Sequence, residues 1–194
     1  MLGVNGAGKT TTFRMLTGDL DVTSGDARSG MFSIIDSLSN FQQQLGYCPQ
    51  FDALLDKLTG REMLFLFGRL RGIPEYMLSR SVEELIVMCD LTKHADKSTQ
   101  AYSGGNKRKL SLAMALIGSP RILLLDEPTS GVDPAARRII WSTLSTVRQK
   151  FGCSLVLTSH SMDECEALCS RLGIMVNGQL RCLGSGMIEK FFDS

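Results

Sequence analysis

Hydrophobic positions along this chain follow two periods, and the places where one gives way to the other carry most of the information. Leu45-Gly46-Tyr47-Cys48 runs into Pro49-Gln50, Ile122-Leu123-Leu124-Leu125 into Asp126-Glu127-Pro128, and Ser154-Leu155-Val156-Leu157-Thr158 into Ser159-His160. Short runs of this kind, closed by proline or polar residues, predict buried strands of a parallel sheet. Between them the spacing becomes helical. A helix is expected after Lys9 with Phe13 and Leu16 inward, and another from the capping box Thr59-Gly60-Arg61-Glu62 to about Leu70. A third starts near Glu75 with Leu78, Val82, Leu85, Ile86 and Cys89 on one face, and a fourth, amphipathic one spans Lys107 to Ile117 on Leu110, Ala113, Met114 and Ile117. Asp133 as N-cap and Pro134 at the first helical position open a fifth, running to about Lys150 with Ile139, Ile140, Trp141 and Leu144 inward. Ser161 with Glu164 caps a further helix. Leu172–Val176 and Gln179–Leu183, joined by Asn177-Gly178, predict a hairpin on a type I′ turn. Residues 33–44 show no clean period, and Met187–Phe192 reads as a last helical turn. The alternation predicts an α/β fold with a mostly parallel sheet core and an inserted helical subdomain, residues 57–118, inside a single domain.

The chain has 194 residues, one ordinary domain, with 43% hydrophobic and 21% charged residues. That balance excludes the disordered class. Lys plus Arg is 21 against 20 Asp plus Glu, a net of +1, which argues against a nucleic-acid partner. The densest apolar run, Met63–Phe67, is far too short to span a bilayer. Six cysteines without a C-x-x-C pair, and two histidines, read as reduced, partly buried thiols. His94, in a polar loop, reads as a solvated side chain.

Candidate chemistry begins at once. Gly3-Val4-Asn5-Gly6-Ala7-Gly8-Lys9-Thr10 fits G-x-x-x-x-G-K-[ST] in full. Its glycines let the backbone curl so that N–H groups converge on phosphate oxygens at a helix start; Lys9 reaches the β and γ phosphates and Thr10 coordinates magnesium. Only Met1 and Leu2 precede the loop where a strand belongs, so an incomplete domain is expected, with unpaired backbone groups beside it. Gln50 falls beyond a strand's carboxyl end, where open α/β sheets hold ligands, as a magnesium or water contact. Asp126 is placed to hold magnesium and Glu127 to polarise an attacking water. His160 shares that edge, within reach of a γ phosphate. Ser103-Gly104-Gly105-Asn106 stands at another helix start; alone it reads as a serine N-cap with flexible glycines, and in this company as a second anion site.

Taken in order, Gly3–Thr10, Gln50, Ser103–Asn106, Ile122–Glu127, Gly131–Asp133 and His160 resemble the nucleotide-binding domain of ATP-binding cassette (ABC) transporters, a P-loop NTPase. Segments such as YSGGNKRKLSLAMALIGSP and LLLDEPTSGVDP look like the A subfamily of lipid exporters, and the likeness runs from Gly3 to about Ser185. The resemblance implies ATP and Mg2+ as cofactors. Gly3, Asn5, Gly6, Ala7, Gly8, Lys9, Thr10 and Thr11 would line the phosphates; Thr10, Gln50 and Asp126 the metal. Glu127, His160, Gln50 and Lys9 would be catalytic. Ser103, Gly104, Gly105 and Asn106 would press on ATP held by a second nucleotide-binding domain in a head-to-tail pair, and Asp133 would lie in the loop crossing that interface. It further implies transmembrane domains of the same or a partner polypeptide, and a place on the cytosolic face of a membrane.

Tyr102 and Asn106 stand where the broader family has Leu and Gln, and the family's leading strands and adenine-stacking aromatic have no counterpart before Met1. Efficient hydrolysis by these 194 residues alone is therefore not expected. Two alternatives follow: a truncated, non-hydrolysing interaction module, and a soluble ABC ATPase of translation or DNA repair.

Overall fold

The computed structural model describes residues 1–185; the helical turn expected at Met187–Phe192 lies outside them. The elements run α1 (Lys9–Thr17), β1 (Arg28–Ser29), β2 (Phe32–Ser33), α2 (Leu38–Gln43), β3 (Leu45–Cys48), α3 (Gly60–Leu70), α4 (Glu75–Met88), α5 (Gly104–Leu116), β4 (Ile122–Asp126), α6 (Pro134–Phe151), β5 (Ser154–Thr158), α7 (Met162–Leu168), β6 (Arg171–Val176) and β7 (Gln179–Ser185).

The three apolar runs form one parallel sheet in the order β3-β4-β5, with Cys48 opposite Leu125 and Asp126 opposite Thr158. Period-2 alternation sends Leu123 and Leu125 of β4 toward the helices and Leu124 toward Phe13 of α1 and Phe41 of α2. Both faces are thus covered, which is why these strands are apolar throughout. Leu2 forms parallel bridges to Ser159 and to Ile174, so the first two residues lie between the end of β5 and the β6–β7 hairpin. Ser159 N–H donates to the Met1 carbonyl at 3.1 Å and Leu2 N–H to Gly173 at 2.8 Å. The backbone groups expected to stand unpaired beside the loop are paired at this level. Lower on β5, Leu155 and Val156 are only half-buried.

The capping box at Thr59 forms as read, with Glu62 N–H donating to the Thr59 hydroxyl and the Glu62 carboxylate accepting from Thr59 N–H. Asp133 caps α6 through Ala135 and Ala136 N–H, and Asn177-Gly178 turns the hairpin with φ of 50° and 76°. Residues 33–44, without a legible period, contain the short α2.

Three expectations change. The helix from Lys107 is not amphipathic: Arg108 through Leu116 are all buried, because α5 lies between the sheet and the α3, α4 and α6 layer. It comes so close to the sheet that a Cβ on Gly46 would stand 2.1 Å from the Ala115 carbonyl oxygen. His94 is half-buried rather than solvated; its ring meets Tyr102 edge-on at 6.0 Å, and its carbonyl accepts from the Tyr102 hydroxyl at 2.7 Å. On α6, Ile140 and Leu144 are fully inward, whereas Ile139 and Trp141 are only partly so.

Candidate functional site

The loop Gly3–Gly8 curls between the first two residues and α1. Ala7 N–H closes a turn on the Val4 carbonyl at 3.1 Å, and Gly6 and Gly8 take φ of 80° and 99°. Gly8 is the N-cap position of α1, where no side chain takes up the free N–H groups, so they remain for an anion. The hairpin tip backs the loop: Gly178 N–H donates to the Ala7 carbonyl at 2.9 Å, and a Cβ on Gly8 would meet the Gly178 Cα at 3.2 Å. Thr10 and Thr11 are exposed at its open side, as are Asn5 and Gly6. Lys9 is 6% exposed; its ammonium donates to the carbonyls of Gly3 at 2.6 Å and Val4 at 3.2 Å.

The carboxyl ends of three adjacent strands bring the other candidates to the same place. Glu127, just past β4, stands at the centre. Its Oε1 lies 3.9 Å from Lys9 Nζ and 3.3 Å from His160 Nδ1, beyond β5, and its Oε2 accepts from Gln50 Nε2, beyond β3, at 3.1 Å. One carboxylate therefore touches the loop lysine, the glutamine and the histidine. Glu127 is buried, whereas the His160 side chain is 57% exposed at the mouth.

Glu127 also holds φ at +47°, a left-handed conformation that costs a non-glycine residue about 1–3 kcal/mol. The surroundings enforce it. Its N–H donates to the Thr158 carbonyl at 3.2 Å and hydroxyl at 3.1 Å, and its carbonyl accepts from Ser130 N–H at 3.1 Å and Arg108 Nη2 at 3.2 Å.

Asp126 Oδ1 accepts from the Thr158 hydroxyl, while Oδ2 is buried with no hydrogen-bond partner among the described residues. A buried carboxylate oxygen left bare costs about 1–3 kcal/mol or more, so this atom calls for a donor or a cation. Asp126, Gln50 and Thr10 offer the hard oxygen ligands that Mg2+ prefers, and the bare Oδ2 fits it. Burial, with the Asp126 charge adding to it, pushes the neighbouring Tyr47 phenol up to about 12, so it stays neutral; burial likewise raises the Cys48 thiol.

Ser103–Asn106 stand apart from this cluster. The Ser103 hydroxyl caps α5 by accepting from Asn106 N–H, Ser103 and Gly104 are exposed, and Gly105 is buried where a Cβ would stand 2.8 Å from both Ala136 Cβ and Asp133 Oδ1. The Ser103 and Asp133 corners are therefore packed on each other.

Three residues that sequence reasoning passed over hold the site together. Arg108, one basic residue of the Lys107-Arg108-Lys109 run that the sequence does not single out, is buried and bonds the backbone at both Gln50 and Glu127. Thr158, fully buried, anchors Asp126; its place opposite a strand-end aspartate was the available signal. Glu164, read as a helix cap, buries its carboxylate, accepting from the Thr129 hydroxyl at 2.8 Å and Trp141 Nε1 at 3.4 Å, which ties the turn before Asp133 to α7.

The profile of the ABC transporter family matches residues 1–130. The chain is 57% identical over 185 residues to phospholipid-transporting ATPase ABCA3 of Mus musculus, covering 95% of this chain and 11% of that protein. It is 59% identical, again over 95% of its length, to ATP-binding cassette sub-family A member 2 of Homo sapiens, of which it covers 8%. The chain thus spans about a tenth of these relatives. Among solved structures, an ATP-binding subunit of an ABC transporter superposes with a TM-score of 0.85 at 26% identity, over 95% of this chain and 76% of that one. A dimeric ATP-binding cassette bound to ADP and Pi in a post-hydrolysis state shares the fold at 0.85 and 21% identity, over 95% and 83%. The family match over residues 1–130, the identity to these relatives along nearly the whole chain and the shared fold place the chain in the ABC transporter family, beside members of its A subfamily.

Proposed function

We propose that the chain binds Mg2+-ATP and hydrolyses it to ADP and phosphate as the nucleotide-binding domain of a lipid-exporting transporter. The observation that carries the proposal is the Glu127 carboxylate, held in contact with Gln50 and His160 and 3.9 Å from Lys9, beside an Asp126 oxygen with no partner. The Gly3–Gly8 backbone, with Asn5 and Ala7, cradles the phosphates together with Thr10 and Thr11, and Lys9 exchanges its carbonyl partners for β and γ phosphate oxygens. Asp126, Thr10 and Gln50 would hold Mg2+, which would supply charge neutralisation at the leaving phosphates. Glu127 takes a proton from water as its oxygen attacks the γ phosphorus; the bond to the β-phosphate oxygen breaks, and ADP leaves with that electron pair. His160 donates a hydrogen bond to the γ phosphate, and Gln50 orients the water.

The dimeric cassette above supports pairing with a second nucleotide-binding domain, and we read the pair as head-to-tail. Exposed Ser103 and Gly104, with Gly105 and Asn106, would then complete the partner's nucleotide site, and Asp133 would stand at the seam. The Mus musculus relative is a phospholipid-transporting ATPase, which supports a lipid cargo moved by transmembrane domains, with this domain on the cytosolic face. No described helix is long and apolar enough to cross a membrane. Residues 57–118, between β3 and β4, form the helical arm in this reading. Neither an interaction module nor a translation or repair ATPase is favoured, since the relatives compared are transporters of the A subfamily.

Glu127→Gln keeps the size of the side chain and removes the base. It should bind Mg2+-ATP within about threefold of wild type while turnover falls by about 10²-fold or more, as loss of general-base catalysis requires. Wild-type turnover in that variant, measured by phosphate release, would refute the assignment.

A further inference from the structure

We propose that Arg108 is a positioning residue for hydrolysis: its guanidinium holds Glu127 and Gln50 in one frame and fastens that frame to the helix that carries Ser103–Asn106. The proposal rests on the reading of Glu127 as the base.

Arg108 is 3% exposed, deep in α5. Nε donates to the Pro128 carbonyl at 2.8 Å, and Nη2 to those of Asp126 at 2.8 Å and Glu127 at 3.2 Å. Three consecutive carbonyls, spanning the turn in which Glu127 is forced to φ +47°, thus converge on one planar group. Nη1 reaches the other segment, donating to the carbonyls of Pro49 and Gln50, the latter at 3.3 Å, and to Asp52 Oδ1 at 3.2 Å. The two segments follow β3 and β4, neighbours in the sheet, and deliver Gln50 Nε2 and Glu127 Oε2 to their 3.1 Å contact.

Packing alone does not account for this choice. A buried guanidinium carries a desolvation penalty that an apolar side chain of similar volume avoids, and here its one carboxylate partner, Asp52, is itself partly exposed. The five donors of the fork are met mainly by backbone carbonyls, a geometry no other side chain reproduces, since lysine offers a compact point charge in place of a planar fork. What the arginine secures is orientation: the backbone on both sides of the general base, and that of the glutamine beside it.

The location of Arg108 gives the device its consequence. Ser103 is the N-cap of α5, and Arg108 follows inside the same rigid helix. Movement of α5 relative to the sheet therefore acts on the Pro49–Asp52 and Asp126–Pro128 segments together. A nucleotide engaged by Ser103–Asn106 thereby reaches the base of this chain's own site through covalent helix and five N–H donors.

Arg108→Lys, in the full chain, tests the role. It keeps charge and stem and loses the fork. The expected result is a fall in kcat of about 10²-fold, the cost of misplacing a catalytic group by about 1 Å. The binding constant for ATP measured without Mg2+ should stay within about threefold, because among the described residues Arg108 makes no hydrogen bond or ion pair with the Gly3–Thr10 loop. In a Gln50→Ala background the same substitution should cost clearly less, since the backbone carbonyl that Arg108 holds remains but the Gln50 side chain it aims is already gone. An unchanged kcat overturns the proposal. So does a parallel fall of kcat, ATP affinity and melting temperature, the pattern of a merely structural arginine. Glu127→Gln assayed alongside separates the two layers. If it abolishes turnover while Arg108→Lys does not lower kcat, only the positioning role falls; if it leaves turnover intact, the assignment of the base falls first and Arg108 has nothing to position.

Discussion

The bare oxygen of Asp126 makes Thr158 the most informative residue to change outside the reacting groups. Thr158 is fully buried, and its hydroxyl donates to Asp126 Oδ1, the one hydrogen bond that carboxylate makes through its side chain among the described residues, while accepting from Glu127 N–H at 3.1 Å. Thr158→Val conserves shape and deletes both bonds. Glu127 N–H keeps the Thr158 carbonyl at 3.2 Å, so that side loses little. Asp126 loses everything: a buried carboxylate is left with two unmet oxygens, and a hydrogen bond to a charged group contributes about 1.5–3 kcal/mol. Taking about 2 kcal/mol, at about 3 °C per kcal/mol for a chain of this size, the melting temperature should fall by about 6 °C in metal-free buffer. Thr158→Ser is the control. It keeps the hydroxyl and drops one buried methyl, at a cost of about 1 kcal/mol or about 3 °C. Thermal unfolding followed by circular dichroism reads both. If the valine variant melts within 1 °C of wild type, or no lower than the serine variant, the hydroxyl does not hold Asp126 and the account of that carboxylate fails.

Other consequences follow from close packing and from the thiols. A Cβ on Gly60 would stand 2.2 Å from the Tyr102 hydroxyl oxygen, so Gly60→Ala should destabilise by about 1–3 kcal/mol, and adding Tyr102→Phe should recover part of it in a denaturant-melt double-mutant cycle; strict additivity would show that the contact is not felt. Cys169 and Cys165 lie one helical turn apart at the end of α7, and a hydrogen bond from Cys165 holds the Cys169 thiol below its ordinary pKa while raising that of Cys165. A lowered thiol pKa means more thiolate at a given pH, so the pH midpoint for alkylation of Cys169 by iodoacetamide, followed by peptide mass spectrometry, should move upward in Cys165→Ala; an unmoved midpoint would refute the pairing.

How much of this site could be read from sequence divides along a physical line. Gln50, Glu127 and His160 were legible because each follows an apolar run, and parallel strands deliver their carboxyl ends to one edge. The loop lysine was legible because its glycines and its helix start form a contiguous pattern. Those signals are local: they depend on what neighbours what along the chain. The reach of α5 was legible as well, but its environment was not. Leu110, Ala113, Met114 and Ile117 mark one buried face, while burial of the other face at Arg108, Lys109 and Ser111 depends on α3, α4, α6 and the strand ends arriving from elsewhere. Once they arrive, polar residues there become internal connectors: Lys109 donates to the Asp90 carbonyl at 2.8 Å and to its carboxylate at 3.1 Å, and Arg108 to the turns that follow β3 and β4. Bonds from a side chain to backbone carbonyls leave no mark on the acceptors' identities, since every residue has a carbonyl to offer. The backbone strain at Glu127 is silent for the same reason. Its φ of +47° belongs to the turn between β4 and α6, and nothing in Leu-Asp-Glu-Pro-Thr announces it. What sequence discloses is therefore the set of groups proposed to meet the nucleotide, and what it conceals is the set proposed to aim them. The concealed part here centres on Arg108 and Thr158, and both act on the two residues between which water and metal are expected to sit.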